Sequence, residues 1–109
     1  MQKYCLALDL KNDAALIADY EQYHKRIPDA IDKSIRDAGV TNLEIYRTGN
    51  RMFMILEATD DFSFEKKGKM DAENPDVQAW ETLMWRFQKA LPKSKKGEKW
   101  IIMDKIFQL

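Results

Sequence analysis

An α+β fold on the ferredoxin-like βαββαβ plan is predicted for this chain, and three observations carry the prediction. Apolar runs suited to strands open the sequence, recur as a close pair in its middle and return near its end. Stretches with apolar residues at every third or fourth position separate them, the spacing of amphipathic helices. The triplet Thr48-Gly49-Asn50 supplies a turn that folds the middle pair into a hairpin. With 109 residues, the chain forms one domain, 1–109, around a single core.

The first strand is YCLALDL (4–10), β-rich and apolar, after which Asn12 or Asp13 offers a helix N-cap. A helix follows from Ala14 to about Lys25, with Leu16, Tyr20 and His24 recurring every fourth residue. Pro28 interrupts it. IPDAIDKSIRDAG then reads as a second helix or a kinked continuation, with Ile27, Ile31 and Ile35 as its apolar stripe and Gly39 as its C-cap. NLEIYR (42–47) and RMFMILEA (51–58) are the hairpin strands; Arg47 and Arg51, flanking the turn, are expected to pair with Glu44 or Glu57. The polar stretch 60–74 is a loop with room for a short helix. Asn74 as N-cap and Pro75 at the first helical position open the helix PDVQAWETLMWRFQKAL, which Pro92 stops. A lysine-rich loop (93–99) leads into the last strand, WIIMDKIF (100–107).

An antiparallel sheet covered by helices on one side should be apolar on one face only. Here both faces are apolar: Met52, Met54 and Leu56 fall on one, Phe53 and Ile55 on the other. The economical cover for the second face is the sheet of another copy, giving a homodimer with a closed or nearly closed α+β barrel. The alternative is that the open face is itself a cleft for a small ligand.

Composition excludes several classes. Lys plus Arg and Asp plus Glu number 18 each, so the chain lacks the basic surplus of a nucleic-acid binder. Its longest apolar runs are too short to cross a bilayer, and MQKYCLALDL lacks the features of a signal peptide, so no membrane partner is expected. The single cysteine, Cys5, permits no intrachain disulfide and makes a reducing cytoplasm the default; in its apolar run it is a small hydrophobe before it is a nucleophile. No zinc-ligand spacing, dinucleotide fingerprint, phosphate loop or nucleophile elbow occurs, so neither metal nor cofactor is signalled.

What remains is proton transfer. His24 is the only histidine, and Tyr20 stands one helical turn before it on the same face. Packing alone explains such a pair as well as catalysis does, because a shared face is not yet a catalytic geometry. Trp80, Trp85 and Trp100 offer stacking surfaces, though Trp80 and Met84 at helical spacing equally suit a core, and Trp85 lies one step off that stripe.

The opening strand, the pair Tyr20-x3-His24, the hairpin strand beginning IYR at Ile45 and the VQAW ending at Trp80 together resemble the L-rhamnose mutarotase family, small dimeric α+β-barrel enzymes that interconvert the anomers of 6-deoxy-L-sugars. The resemblance implies His24 as the acid–base residue, Tyr20 beside it at the sugar and Trp80 lining the pocket. It leaves Tyr46 as a source of a further hydroxyl and Glu81 as a hydrogen-bonding group to the sugar. Two departures stand out. Ile27-Pro28-Asp29 replaces the family's usual Trp-Pro-Glu, and Glu81 follows Trp80 where a second tryptophan is usual. EIYRTGNRMFMI and GEKWIIMDKIF are similar to the branch associated with L-fucose. The implied activity is mutarotation of a monosaccharide, L-fucose or L-rhamnose, without a cofactor. A cofactor-free monooxygenase-like barrel and a non-catalytic sugar-binding dimer are the alternatives at this stage, since fold does not determine function.

Overall fold

The computed structural model describes all residues from Met1 to Leu109. The elements in chain order are β1 (Gln2–Leu10), α1 (Ala14–His24), α2 (Asp29–Asp37), β2 (Val40–Thr48), β3 (Arg51–Ala58), α3 (Phe64–Ala72), α4 (Pro75–Trp85), β4 (Gln88–Lys89) and β5 (Ile101–Ile102). The class is α+β, and each helical position of the expected plan is filled by a pair of helices. All strand pairs are antiparallel, in the order β2-β3-β1-β4, with β5 also on β1. Because β3 runs along β1 from Gln2 to Asp9, β4 and β5 share its other edge, opposite Asp9–Leu10 and Leu6–Ala7 respectively.

Caps chosen by local chemistry start the helices. Asp13 accepts the amide of Leu16 at 3.0 Å, and Asn74 accepts those of Asp76 and Val77. Ser63 caps α3 in the same way through the amide of Lys66. Pro28 starts α2 with no side-chain cap, its fixed φ of −56° suiting the position. Gly39 ends α2 at φ +101° with its amide on the Arg36 carbonyl.

The register sets the faces of the sheet. Leu6, Leu8 and Leu10 of β1 share one face with Met52, Met54 and Leu56 of β3 and with Leu43 and Ile45 of β2. All four helices lie on this side, and Leu8, Leu10 and Met52 are sealed from solvent. Burying each such side chain stabilises the fold by about 1.5–3 kcal/mol. The opposite face carries Cys5, Ala7, Phe53, Ile55 and Tyr46, of which Phe53 is 43% and Tyr46 56% exposed. Asp9, also on that face and 6% exposed, is held by a two-pronged ion pair with Arg51 directly across the ladder, at 2.8 and 3.1 Å.

Three expectations are corrected here. α4 stops at Trp85, well before Pro92, because Phe87 and Gln88 are drawn to the free edge of β1: Gln88 pairs with Leu10, Lys89 with Asp9, and the Phe87 carbonyl accepts the amide of Lys11. The last strand is only Ile101–Ile102: β4, opposite Asp9–Leu10, limits where it can start, and the chain leaves the sheet after the amide of Met103 meets the Cys5 carbonyl. Beyond it Ile106, Phe107 and Leu109 stand exposed. The polar stretch 60–74 does hold a short helix, α3, of nine residues. Arg47 reaches Glu21 on α1 at 2.6 Å and Arg51 reaches Asp9, so neither hairpin arginine pairs with Glu44 or Glu57.

Gly39 gives a test of this framework. A Cβ there would stand 2.8 Å from Thr59 Oγ1 on a backbone that side chains rarely adopt. Gly39→Ala should cost about 1–3 kcal/mol and lower Tm by roughly 5–15 °C. Thermal unfolding followed by circular dichroism checks this, and an unchanged Tm contradicts it.

Candidate functional site

The apolar core is divided. One buried cluster gathers Leu8, Leu10, Tyr20, Met52, Met84 and Phe87; a second gathers Leu6, Val40, Leu56, Ala58 and Phe62, and Trp100 packs against both. Between them, bounded by Tyr20 and Met84 of the first and by Leu6 and Leu56 of the second, lies a cavity of about 390 Å³. That volume falls within the range of small-molecule sites, roughly 300–1,000 Å³. Leu43, Ile45 and Met54 form its floor, while His24, Trp80 and Glu81 project from the helices.

His24 is the last residue of α1. Its Nδ1 lies 2.8 Å from the carbonyl oxygen of Tyr20. A carbonyl only accepts, so Nδ1 carries the hydrogen and donates it, and the lone pair of the neutral ring sits on Nε2. The ring is flanked by Tyr20, with centroids 4.3 Å apart, and by the edge of Trp80 at 5.6 Å. Burial lowers the His24 pKa below the ordinary 6.5, outweighing the carbonyl bond, which favours the cation. At neutral pH the side chain is therefore an uncharged base.

Tyr20 is buried, and its hydroxyl accepts a hydrogen bond from Gln88 Nε2 at 3.2 Å. Burial raises its pKa above the ordinary 10, so it keeps its proton. Gln88 lines the cavity too, is 4% exposed, and its Oε1 has no partner. Exchanging the two ends of the amide moves the orphan to Nε2 without removing it. A buried unpaired polar atom is costly unless something else pairs with it, and this one borders the space beside Tyr20.

At the other side of Trp80, Glu81 and Lys99 line the cavity together. The Lys99 ammonium lies 4.9 Å from the ring of Trp85 and 3.4 Å from the Glu81 carbonyl. Burial lowers the Lys99 pKa, and Glu81 opposes that shift. Lys67 and Asp71 of α3 face the same space. No group of three or more His, Cys, Asp or Glu side chains is placed to hold a metal ion.

Of the residues singled out from the sequence, Tyr20, His24, Trp80 and Glu81 thus meet at one cavity. Tyr46 does not. It alternates with Ile45 along β2, so it stands opposite Phe53, and it lines a separate groove together with Tyr20 and His24. Gln88, Lys99, Lys67 and Asp71 went unnoticed in the sequence. Gln88 was assigned to a helix, the others to solvated segments, and no spacing marks any of them.

The model of the family described as L-rhamnose mutarotase matches residues 3–109. The chain is 47% identical to the L-fucose mutarotase of Xanthomonas campestris pv. campestris, covering 100% of this chain and 89% of that protein. It is 32% identical to a UPF0734 protein of Dictyostelium discoideum, over 99% of this chain and 90% of the relative. Among solved structures, the L-rhamnose mutarotase of Formosa agariphila superposes with a TM-score of 0.74 at 16% identity, covering 100% of this chain and 99% of that one. Tetracenomycin F2 cyclase of Streptomyces glaucescens, a type-II polyketide cyclase, does so at 0.64 and 11%, with the same coverage. These two likenesses speak for the fold alone. Over its whole length, then, this chain belongs to the L-rhamnose mutarotase family of carbohydrate isomerases.

Proposed function

We propose that this protein speeds exchange between the α and β anomers of a 6-deoxy-L-sugar, L-fucose in preference to L-rhamnose, by proton transfer through His24. The observation that carries the reading is the fixed ring of His24: Nδ1–H is committed to the Tyr20 carbonyl, and the basic Nε2 belongs to a ring lining a largely apolar cavity of monosaccharide size. The 47% identity to an L-fucose mutarotase supports the choice of sugar.

Anomers interconvert by ring opening. His24 Nε2 takes the proton of the anomeric hydroxyl as the C1–O5 bond breaks, and the ring oxygen gains a proton. The carbonyl at C1 then turns its other face, and reclosure reverses both transfers. Proton transfer of this kind contributes about 10²–10⁴-fold. Tyr20, held neutral by burial, is the donor or relay on the ring-oxygen side, because the hydrogen of its hydroxyl is uncommitted while Gln88 donates to its oxygen. Trp80 packs against the apolar side of the sugar and its C6 methyl. Glu81 bonds a hydroxyl at the mouth of the cavity, beside Lys99.

The same proposal takes the working form to be a two-fold homodimer in the cytoplasm. Support for the dimer comes from the uncovered sheet face, with Phe53 and Tyr46 exposed, and from a C-terminal arm whose Ile106 and Phe107 have no cover within the chain. Cys5, half-buried and unpaired, suits a reducing compartment.

Saturation-transfer NMR on equilibrated L-fucose tests the activity. His24→Ala should abolish accelerated exchange between the α and β signals while the fold persists; unchanged exchange removes His24 from the mechanism. Sugar binding without accelerated exchange in the unaltered protein would favour the non-catalytic alternative, and oxygen uptake with an aromatic substrate the monooxygenase-like one.

The pH profile follows from the burial of His24. Activity should stay level as pH falls through 6.5 and decline only below it, with the apparent pKa of the free enzyme on the low side of the ordinary value. Stability has the same sign: the unfolded chain takes up the proton first, so the contribution of a neutral His24 is full above 6.5 and is lost as pH drops toward the folded pKa. A titration of the His24 ring by NMR above 6.5 would contradict both. Light scattering should give twice the chain mass, and Phe53→Asp should halve it without unfolding the domain; a monomeric parent protein rejects the dimer.

A further inference from the structure

The inward face of α3 is built unlike that of a helix that packs. Phe64, Lys67, Gly68 and Asp71 stand at i, i+3, i+4 and i+7, and all of them line the cavity. That stripe is normally the apolar seam of an amphipathic helix. Only Phe64 keeps to the rule, and no residue of α3 is buried.

Gly68 sits in the middle of this helix without a conformational reason. Its φ is not positive, and a Cβ added there would meet nothing within 4 Å. Alanine would be the better helix former at no steric cost within the chain. Exposed at the edge of the cavity, Gly68 thus leaves open space there at the expense of helix propensity.

The ion pair beside it is also distinct. Lys67 Nζ lies 2.6 Å from Asp71 Oδ2, with side chains 20% and 14% exposed. The chain's other i,i+4 pairs are 49–82% exposed. A sheltered ammonium next to a sheltered carboxylate presents a donor and an acceptor side by side, the complement of two adjacent hydroxyls on a pyranose.

We infer that Lys67, Gly68 and Asp71 form the subsite for the part of the sugar remote from the anomeric carbon, with the ion pair binding adjacent ring hydroxyls and Gly68 leaving room for the ring. The inference rests on the mutarotase reading of the same cavity. His24 belongs to the end of the cavity beside the first core cluster, whereas Phe64 of α3 packs on the second, so a pyranose spanning the two would place its reacting carbon at one and its far hydroxyls at the other.

Gly68→Ala separates this role from a structural one, because the two predict opposite signs. The variant should unfold at a Tm higher by roughly 2–6 °C. Its KM for L-fucose, from exchange rates against sugar concentration, should rise about ten-fold with kcat little changed, as overfilling a fitted space implies. Asp71→Asn should likewise raise KM and leave the pH profile set by His24 in place. A KM unaltered in both variants, while the parent enzyme exchanges the sugar, overturns the α3 subsite and leaves the mutarotase reading standing. If the parent protein shows no exchange, that reading fails instead. Binding of L-fucose by saturation-transfer difference to parent and Gly68→Ala then decides the subsite independently: weaker binding by the variant upholds it, and equal binding overturns it.

Discussion

The hydrogen bond from His24 Nδ1 to the carbonyl of Tyr20 is the interaction on which the proposed chemistry turns, and local sequence produces it. Pro28 offers no backbone N–H, and the residue before a proline is biased away from helical geometry, so α1 cannot run on into α2. His24 consequently occupies the final turn of α1, where the histidine side chain can bond the Tyr20 carbonyl one turn back. A cation at a helix C-terminus would ordinarily be favoured by the helix dipole. Burial between Tyr20 and Trp80 overrides that preference, and the ring stays neutral with its lone pair on the free nitrogen.

A cavity in so small a domain is a concession of packing. Two apolar clusters share the helix-covered side of the sheet without merging, and Trp100 alone packs on both. Filling the gap with larger side chains from α3 would join them and strengthen the fold, because interiors gain from close contact. Lysine, glycine and aspartate stand there instead. The strain of an unpaired Gln88 oxygen in the same space points the same way, since both features oppose stability and both border one volume.

Much of the architecture was legible because short-range rules governed it. Alternation in RMFMILEA gave both sheet faces, and Asp13 and Asn74 behave as the capping rules require. The helix of 14–25 and the break at Pro28 follow from periodicity and from proline chemistry. What escaped was decided at long range. The apolar spacing of Phe87 and Leu91 continues that of α4, yet the vacant edge of β1 draws Gln88 and Lys89 into the sheet. That tertiary pull is what brings Gln88 to Tyr20, so the wrong helix boundary and the missed residue have one cause. Tyr46 sits apart for a simpler reason: Leu43 and Ile45 face the main cavity, and position parity turns Tyr46 to the groove it shares with Tyr20 and His24.

The resemblance to a polyketide cyclase on the same scaffold shows that the fold leaves the substrate open. Discrimination must come from the groups at the cavity, and their kinds set how much each can achieve. L-fucose and L-rhamnose both carry the C6 methyl and differ only in which way ring hydroxyls point. On the proposed site, contact of Trp80 with that methyl would select 6-deoxy sugars over hexoses, by about 10–200-fold for a methyl-sized feature, but would not separate the two 6-deoxy sugars. Buried polar groups can, because a hydroxyl pointing the wrong way leaves its intended partner unpaired. Of the positions where this chain departs from the pattern it resembles, Ile27 and Glu81 line the cavity, one an aliphatic and one a carboxylate in place of indoles. Exchanging stacking surface for a hydrogen-bonding group trades a contact blind to hydroxyl geometry for one that reads it. On the proposed roles, the choice between the two sugars falls to Glu81 and the α3 pair, while His24 and Trp80 serve both.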